Sequence, residues 1–160
     1  MTLVAAGTLC DIGHALLEED RAKEGLACFR RALGPRLEFL GPHHPEVALA
    51  IKDIAQVFLD KGDSRRAALY LERALSIEVA AYGEEAMHVA EANSKFLLAT
   101  ALEDLGHSQR ARTLFRSAAA VFSLRLGHDH PYTIGAVEGS EQSSKGALAA
   151  LDYGGDAEED

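Results

Sequence analysis

The chain has 160 residues and a net charge of −9, enough for one domain core but not for two large ones. An acidic balance argues against nucleic acid and anionic membrane as partners. Seven acids against one base in residues 138–160 put −6 of that charge at the end, leaving −3 for residues 1–137.

Two cysteines, Cys10 and Cys28, have neither C-x-x-C spacing nor a disulfide framework around them, which points to a reducing compartment. The first residues lack a basic n-region, and no apolar run nears the ~18 residues of a membrane span. A soluble, cytoplasmic protein is expected.

The first helix is predicted from about Leu3 to Leu17, with Leu9, Ile12, Gly13 and Leu16 at the i, i+3, i+4, i+7 spacing of one helical face. Glu18-Glu19-Asp20 is a polar break. A second helix follows from about Ala22 to Phe39, with Gly25, Cys28, Phe29, Ala32 and Leu33 on one stripe. Pro35 falls inside it and is expected to kink or shorten it, because proline removes a backbone donor and crowds the preceding turn.

The second unit opens on Pro42-His43-His44-Pro45, with Pro45 suited to the first helical turn. Ile51, Ile54, Ala55 and Phe58 form its buried face. Gly62 ends the helix in a left-handed conformation, Asp63 or Ser64 caps the next, and Ala67, Tyr70, Leu71, Ala74 and Leu75 repeat the stripe.

The third unit carries Leu98, Ala99 and Leu102, the turn Leu105-Gly106-His107-Ser108, and then Ala111, Leu114, Phe115, Ala118, Ala119 and Phe122. Its start, Glu84-Glu85-Ala86-Met87, lacks His-Pro. A fourth unit begins at Gly127-His128-Asp129-His130-Pro131 and does not finish. Glu138 to Gly146 has linker composition, Lys145 to Tyr153 is predicted as a short capping helix, and residues 154–160 as disordered.

Gly41, Gly83 and Gly127 recur with periods of about 42 and 44 residues, the range of stacked helical repeats. In each unit a small residue of the first helix (Gly13, Ala55, Ala99) is matched by one of the second (Ala32, Ala74, Ala118). Small pairs of this kind let two helix axes approach closely. The organisation is a repeat domain over residues 1–137 and an acidic tail over 138–160.

The Gly-x-x-His-Pro-x-x-Ala lead-in from Gly41 to Ala48, the Gly-containing turns and the closes Arg31-Ala32-Leu33, Arg73-Ala74-Leu75 and Ser117-Ala118-Ala119 resemble the tetratricopeptide repeat. The resemblance covers about residues 3–137 and is nearest to the long variety found in kinesin light chains. It implies an all-α, right-handed solenoid of antiparallel helix hairpins, about three units plus a partial fourth, whose first helices line a concave peptide groove.

By matching positions, that groove includes Asp11, His14, Lys52, Asp53, Gln56, Asn93, Thr100 and Glu103. Asp53 and Leu97 stand where carboxylate-clamping repeats carry Asn or Arg, so a clamp for a C-terminal carboxylate is not expected. Lys52-Asp53 also replaces the Asn pair of grooves that take acidic cargo. A partner segment with apolar and basic residues fits the mixed groove better.

Catalytic and metal readings are weaker. Cys10, Asp11 and His14 lie within one helical turn, but no oxyanion donor or third group accompanies them. His43-His44 and His128-Asp129-His130 have metal-binding residue types, yet they lie too far apart to share an ion, and a helix-capping loop explains them. No phosphate-binding or hydrolase motif occurs, and no cofactor is implied.

The function expected is protein binding without catalysis. The rivals are end-to-end self-association through Phe122, Leu124 and Leu126, a regulatory accessory domain of a larger signalling assembly, and a minimal hydrolase using Cys10 and His14.

Overall fold

The structure, a computed structural model, describes residues 1–83 and 87–152, the stretch 146–152 by its backbone alone. Among the described residues there are seven helices and no strand. They fall into two units, Met1–Ala86 and Met87–Asp160.

The first unit holds α1 (Leu3–Glu18), α2 (Ala22–Leu40), α3 (Pro45–Asp60) and α4 (Ser64–Tyr82). Here α1 pairs with α2 and α3 with α4, while α3 also packs on α2 and touches α1, so hairpin stacks on hairpin. The second unit holds α5 (Val89–Asp104), α6 (Ser108–Leu126) and α7 (Pro131–Asp152), with α6 between the other two. Among the described residues both units are all-α as expected, with two stacked hairpins in the first and one hairpin followed by α7 in the second.

The lengths repeat as well, 16 residues in α1, α3 and α5 and 19 in α2, α4 and α6. Pro35 is buried inside α2 and does not shorten it.

The hairpin turns are copies of one another. Asp20, Gly62 and Gly106 take the left-handed conformation (φ 60°, 73° and 79°). The next amide then donates to a carbonyl five residues back: Arg21 to Leu16, Asp63 to Phe58 and His107 to Leu102, each at 2.8 Å. This closes the helix end by satisfying carbonyls that the ladder leaves over. Glycine adopts the conformation without a Cβ penalty, and Asp20 shows that a short polar side chain also tolerates it.

Histidine sets the start of the first helices. His44 caps α3 and His88 caps α5, each with its ring Nδ1 accepting the backbone N–H two residues on (Glu46, Ala90) at 3.2 Å. His130 makes the same bond to Tyr132 at the head of α7. The third unit therefore does have its histidine, two residues later than its neighbours place it, with Val89 in the proline position.

The last helix corrects the linker reading. α7 runs unbroken from Pro131 to Asp152, through the stretch from Glu138 to Gly146. Among its described side chains the buried ones are Thr133, Ala136 and Ser143, helically spaced but small or hydroxylated. Gly139 lies against Phe115 so closely that a Cβ there would stand 2.8 Å from the ring. Phe122 is 1% exposed and packs with Ala92, Ala118, Val121 and Ala136. It therefore cannot join Leu124 and Leu126 in an exposed patch. Residues 154–160, expected to be disordered, lie outside the described residues, as do Tyr153, the expected end of the capping helix, and Glu84–Ala86.

Candidate functional site: the α1/α3 face

Two rows of side chains stand at one register on the first helices of the first unit. Gly7, Asp11 and His14 lie at i, i+4, i+7 along α1, and Leu49, Asp53 and Gln56 at the same steps along α3. That spacing keeps each row on one face of its helix. Asp11, His14 and Leu49 are exposed, and Asp53 and Gln56 are half-buried. Gly7 leaves its end open, since a Cβ there would meet nothing within 4 Å.

Asp53 is the centre of the polar set. His14 Nε2 lies 3.5 Å from its Oδ1, with the carboxylate side chain only 12% exposed and the imidazole 56% exposed. The imidazole also leans on the Phe29 ring, 5.0 Å between centroids. Burial pushes the Asp53 carboxyl above the usual carboxylate range, against the opposing pull of His14, Arg36 and Lys52. Beneath the face, Arg36 donates to Cys10 Sγ at 3.1 Å and to Glu46 at 3.3 Å. Burial likewise raises the Cys10 thiol, with Arg36 pulling the other way.

Lys52 does not present its charge on this face. It is 7% exposed, and its Nζ lies 2.7 Å from Glu78 on α4. Gln56 is exposed enough to be met from outside, and its amide donates to Asp60 at 2.8 Å.

Asn93, Thr100 and Glu103 belong to α5 in the second unit. Asn93 is half-buried, and Thr100 donates to the Phe96 carbonyl at 3.1 Å. Glu103 is a tether: its two oxygens accept Ser108 at 3.1 Å and Ser143 at 2.6 Å, tying α7 to the preceding hairpin. The structure thus brings Asp11, His14, Asp53 and Gln56 onto one face and turns Lys52 and Glu103 inward. Sequence reasoning missed Glu78 and Arg36. Their signal was a charge standing in an apolar stripe, as Glu78 does beside Ala74 and Ile77.

Among the described residues no cluster of three or more His, Cys, Asp or Glu is arranged to hold a metal ion. His44 and His130 use Nδ1 for their helix caps, and His128 Nδ1 lies 2.9 Å from Ser123 Oγ. Among the described residues no helix is long and apolar enough to cross a membrane.

Residues 4–77 match the tetratricopeptide repeat family model. Among solved structures, a kinesin-light-chain-type protein of Podosopora anserina with nearly identical TPR-like repeats aligns with TM-score 0.78 and 16% identity, over 91% of this chain and 68% of that one. The Sgt2 TPR domain of Aspergillus fumigatus aligns with TM-score 0.67 and 15% identity, over 97% and 87%. BtubC (BKLC) of P. vanneervenii aligns with TM-score 0.68 and 17% identity, over 97% and 66%. None of the curated proteins compared matches the sequence. With its repeated turns and matched helix lengths, the chain matches the tetratricopeptide-repeat model over residues 4–77 and resembles, in fold, the repeats of the kinesin-light-chain-type protein.

Proposed function

We propose that the chain is a cytoplasmic adaptor that binds an extended protein segment along the α1/α3 face and catalyses nothing itself. A tetratricopeptide repeat is a protein-interaction module, and the finer reading is carried by one observation. At matched register, two rigid helices present Asp11, His14, Asp53 and Gln56 beside the 48% exposed Leu49. A face built on packed helices loses little freedom on binding, so most of the ordering cost falls on the partner. Asn93 and Thr100 in the second unit are proposed to extend this role, and residues 138–160 to serve as a C-terminal segment outside it.

The test is selection from a random peptide display library on the immobilised full chain, followed by fluorescence anisotropy on the selected peptides. Native protein is compared with Leu49→Ser and Gln56→Ala. A loss of about tenfold or more in affinity, roughly 1.4 kcal/mol, in both variants with helicity unchanged supports the face. Equal binding to all three moves the site elsewhere. A selection that yields no binder, together with a light-scattering mass that rises with concentration, replaces the adaptor reading with self-association.

A further inference from the structure

We infer that the α1/α3 face takes an arginine side chain of its partner at Asp53, with His14 standing in that place when the face is empty. The inference rests on the peptide-binding reading above and names the chemistry of its anchor.

The charges around Asp53 do not balance. Three carboxylates, Glu46, Asp53 and Glu78, share this region with two permanent cations, Arg36 and Lys52. Arg36 is engaged with Glu46 and Cys10, and Lys52 with Glu78. Asp53 has the neutral Cys10 thiol as a hydrogen-bond donor, the more distant pull of Arg36 and Lys52, and the His14 imidazole at 3.5 Å, a contact longer than a good charge-assisted hydrogen bond. A carboxylate that is 12% exposed has lost most of its hydration, and such a group gains most from a cation that reaches it directly.

His14 is the movable part. Its side chain is 56% exposed, so it can rotate towards solvent at the cost of its tilted contact with the Phe29 ring, whereas the Asp53 side chain is only 12% exposed. Asp11 stands exposed at the register position of Asp53 one hairpin earlier, and it adds a second negative charge to the approach.

Among basic side chains arginine fits better than lysine. Its guanidinium is less strongly hydrated, and its planar donors match a carboxylate two at a time. The apolar Leu49, one helical turn before Asp53, gives the aliphatic stem or a neighbouring apolar residue something to lie against.

The experiment is an NMR titration of the full chain with Nα-acetyl-arginine N-methylamide, against the citrulline analogue, which has the same shape and no charge. The readouts are the His14 Cε1–H and Asp53 carboxyl resonances. The arginine compound is expected to shift both saturably. The citrulline compound should bind about tenfold more weakly or worse, a difference of roughly 1.4 kcal/mol. Asp53→Asn, nearly isosteric, should abolish the response, and His14→Ala should strengthen binding by removing the competitor.

Equal responses to the two compounds, no saturable shift, or an unchanged response in Asp53→Asn would overturn the assignment. A peptide from the display selection that loses affinity in Leu49→Ser and Gln56→Ala but not in Asp53→Asn would overturn it too, while leaving the peptide-binding face in place.

Discussion

Lys52 Nζ lies 2.7 Å from Glu78 Oε1, with the two side chains 9% and 2% exposed, and the same two positions are solved differently in each hairpin. Lys52 is the eighth residue of α3 and Glu78 the fifteenth of α4. One hairpin earlier those positions hold Cys10 and Arg36, in contact at 3.1 Å. One hairpin later they hold Phe96 and Phe122, with ring centroids 6.5 Å apart. A charge pair, a thiol–guanidinium pair and an aromatic pair thus fill one architectural slot.

The aromatic version shows that the slot does not require charge. Removing one partner of a buried ion pair strands the other, at a cost of about 3–5 kcal/mol, while replacing both with apolar residues is often neutral or stabilising. Lys52→Ala or Glu78→Ala alone should therefore destabilise the chain on that scale in urea unfolding. The double variant Lys52→Met/Glu78→Leu should return to within about 1 kcal/mol of native. A double variant as unstable as the single ones would mean that the charges hold something the apolar pair cannot.

The three histidine caps make a second prediction. Each imidazole accepts one amide at the head of a first helix, the task usually done by Ser, Thr, Asp or Asn. His44→Ala should cost about 1 kcal/mol. His44→Asp should recover that loss, because aspartate is among the strongest caps and its charge suits the positive end of the helix. Urea midpoints for the pair decide it, and equal losses in both variants would show that the ring acts by packing and not as an acceptor.

How far the fold could be foreseen follows from which residues carry the pattern. The hairpins were legible because Ile51, Ile54, Ala55 and Phe58, and their counterparts, place apolar or small side chains at helical spacing between turns marked by Gly62 and Gly106. α7 was hidden because its inward stripe, the buried Thr133, Ala136 and Ser143 with the half-buried Gly139 against Phe115, reads as polar and flexible when burial is judged by hydrophobicity. The cap of α5 was hidden because His88 lies two residues beyond its expected place. At the site, Asp11, His14, Asp53 and Gln56 followed from register. The inward turn of Lys52 and Glu103 did not, since each depends on a distant partner, Glu78 and Ser143, that only the folded chain brings near.

Gly13 and Phe29 form a matched pair with their own test. A Cβ on Gly13 would stand 2.6 Å from Phe29 Cε1, and the Phe29 ring is fully buried, so it cannot move aside cheaply. Gly13→Ala should destabilise by about 1–3 kcal/mol from overpacking, outweighing the roughly 1 kcal/mol that alanine gains over glycine in a helix. The second hairpin holds Ala55 and Leu71 at these positions. Copying that combination, Gly13→Ala/Phe29→Leu should be more stable than Gly13→Ala alone, as read from thermal midpoints. If adding Phe29→Leu worsens Gly13→Ala, the clash is not with that ring.

The last prediction concerns the pH dependence of stability through Asp53. Burial is the largest influence on its carboxyl and raises its pKa, while His14, Arg36, Lys52 and Cys10, the groups facing it from α1, α2 and α3, act in the opposite direction. A carboxyl with a folded pKa above its unfolded one binds its proton more tightly in the native state. Its favourable contribution is complete below the ordinary carboxylate pKa of about 3.9 and is lost as pH rises through the raised folded value. At neutral pH the ionised, largely dehydrated carboxylate is therefore a cost, and Asp53→Asn removes that charge without changing the shape. The variant should be at least as stable as native protein at pH 7, and its relative advantage should shrink towards pH 4. Because both chains share every other titrating group, the difference between their urea midpoints isolates this one. A variant clearly less stable at pH 7 would mean that the surrounding cations already satisfy Asp53 in the empty protein, leaving no unmet charge for a partner's arginine to complete.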